Sequence, residues 1–425
     1  MSEKYINFKK IKDLTDIQIS DNYNIEEYFI TNFSDIITTT KDEKLIEYYS
    51  DIIKCLYSYG FNFPSNVQQL CTIPMILEKD CIIQASSGCG KTAGFLTPIM
   101  CRINDQLHET QSLILCHSRE LALQIFEISK ELFKHIKISI AMHIGGIKKE
   151  YNRNNIITNN YKEQLIICTP GRLLDLLGND GKKKQLINLD YLKMLVLDEA
   201  DELLSYSFVD NIKNILSNYI NKEVQICVFS ATIPTHILTL TNNFIRSDGI
   251  RITMPDKKIN LDGIIQYKVQ CEKEEIKIII LIELLNRIKN NVVVVFVNNK
   301  NMIDNIVEEL KNNNINAMGI HSNKEQEERF IIKKEFEKSG GVLITTDLFA
   351  RGIDITTISF VFNYDIPLIG ETYIHRIGRT GRFGRKGYAI NLITHNTENK
   401  LIEYINKYNI IISELPSDFD KHLSF

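Results

Sequence analysis

The residues Ala85-Ser86-Ser87-Gly88-Cys89-Gly90-Lys91-Thr92 have the types and spacing of a phosphate cradle. Gly88 and Gly90 carry no side chain, so backbone N–H groups can close on phosphate oxygens. Lys91 is placed to reach the β and γ phosphates, and the Thr92 hydroxyl to ligate Mg²⁺. Ala85 stands where such loops usually have a first glycine. Asp198-Glu199 supplies what nucleotide hydrolysis still needs: Asp198 to hold Mg²⁺ through its water shell, Glu199 to orient or deprotonate the attacking water. Two adjacent acids after a strand are, by themselves, commonly a solvated loop; beside a phosphate loop they read as a hydrolytic pair. His375, Arg379 and Arg382 are spaced four and three apart, and on a helix all three would share one side. Guanidinium groups there could offset charge on a γ-phosphate, or simply make surface ion pairs. Gln68 carries one amide donor and one acceptor, the complement of an adenine edge, though a lone glutamine at a helix start is commonly solvated.

These residues need a scaffold that presents them together. An apolar run at 81–84 reads as a buried strand before the loop, and 93–99 opens a helix after it. Further strand-like runs lie at 112–116, 138–142, 165–168, 194–197 and 226–229, with polar motifs at their C-terminal ends. Helical faces alternate with them, as in Leu121, Ile125, Ile128 and Leu132. That is how an open parallel α/β sheet places its ligands. Residues 254–262 are charged and poor in apolar groups, and read as a linker. The pattern then resumes with runs at 264–269, 292–297, 317–320, 342–345, 359–362 and 388–393, and a helix over 301–310. The second half has no phosphate loop. Residues 1–50 show no core pattern and read as a mobile extension. The expected domains are therefore 51–253 and 263–425.

Composition narrows the partners. At 425 residues two domains are expected, and a net charge of −3 requires any nucleic acid to be held by local grooves. The nine cysteines include no C-x-x-C pair, which argues for a reducing compartment and against a zinc site. No signal peptide is evident, and no apolar run approaches a membrane span.

Eight stretches, 60–68, 85–92, 118–122, 169–172, 198–201, 230–232, 347–354 and 375–382, occur in the order seen in DEAD-box RNA helicases, and the chain resembles that family over roughly 52–395. The resemblance implies an α/β fold of two tandem RecA-like domains, parallel sheets flanked by helices, joined by a short linker. It implies an RNA-stimulated ATPase with ATP and Mg²⁺, acting on single-stranded or duplex RNA as a monomer away from membranes. By resemblance, Phe61, Gln68, Ser86, Ser87, Gly88, Cys89, Gly90, Lys91, Thr92 and Asp354 bind nucleotide. Thr92 and Asp198 take the metal, while Lys91, Asp198, Glu199, Arg379 and Arg382 carry catalysis. Asp201, Ser230, Thr232 and His375 couple the nucleotide site to domain closure. Arg119, Gly145, Gly146, Thr169, Gly171, Arg172, Arg329 and Thr345 touch RNA.

Six stretches, 60–68, 115–120, 326–329, 347–352, 362–367 and 412–416, further resemble the subfamily of spliceosome assembly and mRNA export (TREX-associated). That implies a nuclear protein with export or splicing adaptors. Ala200, Gly378 and Thr380 instead follow the general family form. The upstream aromatic of that subfamily is off its spacing, with Tyr48 or Tyr49 as substitutes. An ATP-gated RNA clamp, a translation-initiation-type helicase in the cytoplasm, and a scaffold without turnover remain as alternatives.

Overall fold

The structure is a computed structural model that describes residues 17–85, 88–145, 162–178, 185–205, 208–254, 263–347, 358–381 and 386–423. The chain divides into two compact units, Met1–Lys257 and Lys258–Phe425. Of the expected linker, only Met254 lies within the described residues.

The described strands of the first unit are β1 (Gln18–Ile19), β2 (Cys81–Gln84), β3 (Ser112–Cys116), β4 (Ile140–His143), β5 (Leu165–Cys168), β6 (Met194–Asp198), β7 (Gln225–Ser230) and β8 (Ile250–Thr253). They lie in the order β1-β8-β2-β7-β6-β3-β5-β4. All pairings are parallel except β1 with β8, which is antiparallel. The central strands are short, uninterrupted apolar runs because helices cover both faces. Leu113, Leu115, Leu195, Leu197, Ile226 and Val228 pack on one face with Leu173, Leu177, Leu203 and Ile212.

The second unit holds β9 (Ile264–Gln270), β10 (Val293–Phe296), β11 (Ala317–Ile320), β12 (Val342–Thr345), β13 (Phe360–Asn363), β14 (Gly387–Ile393) and β15 (Ser413–Glu414), in the order β11-β12-β10-β13-β14-β9-β15. Every pairing is parallel. Val293 and Val295 pack with Leu281, Leu284, Ile303 and Leu310, while Val294 and Phe296 pack on the other face with Phe336. Both units are thus parallel α/β sheets flanked by helices, the RecA-like arrangement the sequence implies. Among the described residues no helix is long and apolar enough to cross a membrane.

Residues 17–50 correct the expectation of a mobile extension. Tyr23, Tyr28, Ile30, Phe33 and Ile36 are buried, and the 3-10 helix Phe33–Thr39 packs against helices Glu43–Tyr59 and Asn66–Ile76. The Ile30 N–H donates to the Gln69 carbonyl at 3.1 Å. No period of 2 or 3.6 marks these apolar residues because the segment crosses the surface in short pieces. Helix Glu43–Tyr59 starts inside the stretch read as an extension, where the Asp42 carboxylate caps it by accepting from the N–H groups of Lys44 and Leu45. It ends at Gly60, whose φ of +105° suits glycine.

Candidate functional site

Strand β2 delivers the phosphate loop. The Ala85 N–H donates to the Ser230 carbonyl at 3.0 Å, which pins the loop's start to β7. Gly90 caps helix Lys91–Arg102 with φ +93°. A Cβ there would lie 2.7 Å from both Gln68 Nε2 and Ser65 Oγ, so glycine is required by space as well as by backbone. Gly88 is also left-handed, at φ +78°. Lys91 Nζ donates to the Ala85 carbonyl at 2.6 Å, across the loop's mouth. Thr92 follows it in the first helical turn, where free N–H groups and the helix dipole favour an anion. Burial pushes the Cys89 thiol above its ordinary pKa, and Lys91 opposes that shift. Ser86 and Ser87 lie outside the described residues.

Gln68 is buried against this loop. Its Oε1 accepts from the Ser65 N–H at 3.0 Å, closing a capping box on helix Asn66–Ile76, and its Nε2 donates to the Gly90 carbonyl at 3.1 Å. Phe61 is half-buried beside Tyr59, with ring centroids 4.9 Å apart. The Tyr48 hydroxyl donates to the Met100 carbonyl, on the helix after the loop, at 3.1 Å.

The acid pair ends β6. Asp198 is 4% exposed. Burial pushes its carboxyl up to about 7; the Glu199 carboxylate adds to that and Lys91 opposes it. Glu199 has φ +50°, a left-handed backbone that costs a non-glycine residue energy, and its N–H donates to Asp198 Oδ1 at 3.0 Å. His117 Nδ1 stands 3.2 Å from Glu199 Oε2. Beside them is a closed ring of contacts. Ser230 Oγ accepts from the Asp201 N–H at 3.3 Å and donates to the Thr232 carbonyl at 2.6 Å, and Thr232 Oγ1 donates to Asp201 Oδ2 at 3.0 Å.

The expected RNA residues of the first unit gather at the ends of β3, β5 and β4, which are neighbours. Ser118 caps helix Arg119–Leu132 by accepting from the Leu121 N–H. A Cβ on Gly145 would be 3.4 Å from the Arg119 guanidinium. Thr169 precedes Pro170 at the start of helix Pro170–Leu177, and Gly171 faces open space, with Arg172 half-buried next to it. Gly146 lies outside the described residues.

In the second unit, Arg329 and Thr345 are both buried, and Thr345 Oγ1 donates to the Thr346 carbonyl at 3.3 Å. Helix Gly370–Ile377 stops at Gly378, so the helix on which His375 and Arg379 would share a side ends between them. Glycine at 378 and the turn after it break the period; Arg379 folds back and its Nε donates to the His375 carbonyl at 3.1 Å. Asp354 and Arg382 lie outside the described residues.

Sequence reasoning missed Arg376. Its side chain is 0% exposed and binds Asp347 with two nitrogens, one at 2.9 Å from Oδ2. It also donates to Asn298 Oδ1 at 2.8 Å and the Asp365 carbonyl at 2.6 Å, and stacks over Phe296. One guanidinium therefore ties the C-terminal ends of β10, β12 and β13. Its signal was faint: Tyr373, three residues back on the same side of the helix, is wholly buried.

Residues 66–240 match the family described as DEAD/DEAH box helicase, and residues 276–384 the helicase conserved C-terminal domain. Among solved structures, S. cerevisiae Dbp5 bound to RNA and ADP BeF3 is similar at 31% identity and TM-score 0.78, covering 88% of this chain and 95% of that one. A Dbp5 variant of S. cerevisiae bound to a Gle1 variant and IP6 is similar at 29% identity and TM-score 0.72, covering 92% and 96%. Mss116p bound to ssRNA and AMP-PNP is similar at 26% identity and TM-score 0.76, covering 95% and 82%.

Proposed function

The chain belongs to the DEAD-box helicases and is an ATP-dependent RNA helicase, and from that premise we propose that ATP turnover gates its hold on single-stranded RNA during pre-mRNA splicing and mRNA export. The observation that carries the gating is the strand order β2-β7-β6-β3. It sets the phosphate loop, the Ser230–Thr232 turn, the acid pair and the Arg119 helix side by side, so a change at the phosphate reaches the RNA-facing edge through adjacent loops.

In this reading Gln68 and Phe61 take the adenine, Asp354 the ribose, and Lys91 with the loop N–H groups the β and γ phosphates. Glu199 orients the attacking water. Arg379 and Arg382 offset the charge that develops on the γ-phosphate. Asp198 and Thr92 offer the hard oxygen donors that Mg²⁺ requires, and a cation between them would offset the burial and the Glu199 charge that push the Asp198 carboxyl up. The metal supplies charge neutralisation at the phosphates. Ser230, Thr232 and Asp201, with His375 in the second unit, relay occupancy to closure of the two units. Closure completes a track for one strand that a regular duplex does not fit. Arg119, Gly145, Gly146, Thr169, Gly171, Arg172, Arg329 and Thr345 serve its backbone, so binding is tolerant of sequence.

Two observations support the splicing and export assignment: the stretches at 115–120 and 362–367, and the likeness to Dbp5, whose solved complexes include Gle1 and Nup159. Export or splicing adaptors are then the partners and the nucleus the compartment. Ala200, Gly378 and Thr380, which follow the general family form, favour a translation-type helicase as the second reading. Steady-state hydrolysis with and without single-stranded RNA, run beside a duplex-release assay, tests the core of the proposal. RNA-stimulated hydrolysis with release supports it; stimulation without release makes the protein a clamp. Affinity capture from cells separates export adaptors from translation factors.

A further inference from the structure

His117 has no part in the scheme above, yet the sheet sets it against the residue assigned as base. β3 and β6 are paired with Cys116 opposite Asp198. The next residue on each strand, His117 and Glu199, therefore leaves the sheet beside the other. The His117 side chain is 3% exposed and that of Glu199 21%. Glu199 Oε2 is itself buried, so the exposure belongs to the rest of that side chain. The 3.2 Å contact thus lies on the dry side of the carboxylate, leaving the wetter side for a water molecule. The approach is off hydrogen-bond alignment, and a small rotation of either side chain would correct it; contacts of this kind tighten when the reacting complex forms.

A glutamate has three rotatable bonds, and the left-handed backbone at Glu199 fixes only where its side chain begins. A base must hold one oxygen on the water it activates. We propose that His117 is a positioning residue for water activation: it holds Oε2 of Glu199 so that the other oxygen meets the attacking water. A neutral ring with its proton on Nδ1 suffices. The inference rests on Glu199 being the base, as assigned under the proposed function.

The test is single-turnover ATP hydrolysis at saturating poly-uridine RNA, with ATP affinity measured separately by titration of a fluorescent ATP analogue. His117→Ala should lower the hydrolysis rate roughly tenfold while analogue affinity stays within about twofold. His117→Asn returns an N–H donor near the Nδ1 position and should recover most of the rate. In a Glu199→Gln background, His117→Ala should cause no further loss, because the group it positions is gone. An unchanged rate in His117→Ala, equal losses of rate and affinity, failure of asparagine to rescue, or full additivity with Glu199→Gln would each overturn the inference. If Glu199→Gln alone leaves hydrolysis intact, the base assignment falls first and this inference with it. If the unmutated chain hydrolyses no ATP, the proposed function itself fails.

Discussion

Gln68 Nε2 donates to the Gly90 carbonyl at 3.1 Å, so the side chain expected to read the base is bonded to the loop expected to hold the phosphates. The two recognition tasks share one amide. Lys91 is occupied in the same way, with Nζ on the Ala85 carbonyl. Each nitrogen keeps further donors, a second N–H on Gln68 and two more on Lys91, so a nucleotide can add contacts here while the loop's own bonds hold both groups in place.

Gln68→Ala should raise the KM for ATP by about tenfold, with a smaller effect on GTP, since both the base contact and the support of Gly90 are lost. Gly90→Ala should be worse, because its Cβ would sit 2.7 Å from Gln68 Nε2 on a backbone at φ +93°. Equilibrium binding of labelled ATP and GTP to each variant decides this.

The buried Asp198 carboxyl predicts an unusual pH dependence. Its pKa rises from 3.8 to about 7 on folding, so between those values the folded chain binds more protons than the unfolded one. Stability from this residue is intact below pH 4 and falls as pH rises to 7. Asp198→Asn removes the penalty, and should stabilise the nucleotide-free protein by about 2 kcal/mol more at pH 8 than at pH 5. Urea melts at the two pH values measure it, and equal shifts would refute the assignment.

Arg376→Ala should destabilise the second unit by about 2–3 kcal/mol, because it removes the bonds to Asp347, Asn298 and the Asp365 carbonyl together and empties a wholly buried position, while Asp347, 37% exposed, regains water. Arg376→Lys should recover little, since a point charge cannot match the fork that grips Asp347 and Asn298 together. Urea unfolding followed by circular dichroism gives both values.

Pro74 lies inside helix Asn66–Ile76 and has no N–H for the Leu70 carbonyl four residues back. The Tyr23 hydroxyl donates to that carbonyl at 3.0 Å instead. Tyr23→Phe should cost about 1–2 kcal/mol and raise the KM for ATP modestly, since the same helix carries Gln68. A thermal melt together with an ATP titration reads both effects.

Arg119→Ala should weaken RNA binding about equally for all single-stranded sequences and lower the slope of log affinity against log salt by about one. A loss confined to particular sequences would mean that Arg119 reads bases.

The phosphate loop, the acid pair and the apolar runs of both sheets were legible in the sequence because each is local. A run buried on both faces needs no partner to be recognised as a strand, and Gly-Lys-Thr after such a run has few other uses. Less was legible where the determinant is distant. Tyr23, Phe33 and Ile36 carry no period, so their burial against the helix of Gln68 was invisible. Whether His375 and Arg379 share one helix could not be read from their spacing, which does not reveal a turn that folds Arg379 back on the His375 carbonyl. Arg376 carried no expectation, since only the assembled sheet supplies the carboxylate, amide and ring that take it out of water.

By itself, the sequence determined which chemistry this chain carries and that the chemistry sits on two parallel α/β units. Only the tertiary structure decided which groups touch. Strand order β2-β7-β6-β3 sets Ser230 beside the phosphate loop and His117 beside Glu199. Strand pairing is made between residues far apart in the chain and is chosen by how whole faces bury together, a choice that no local pattern records.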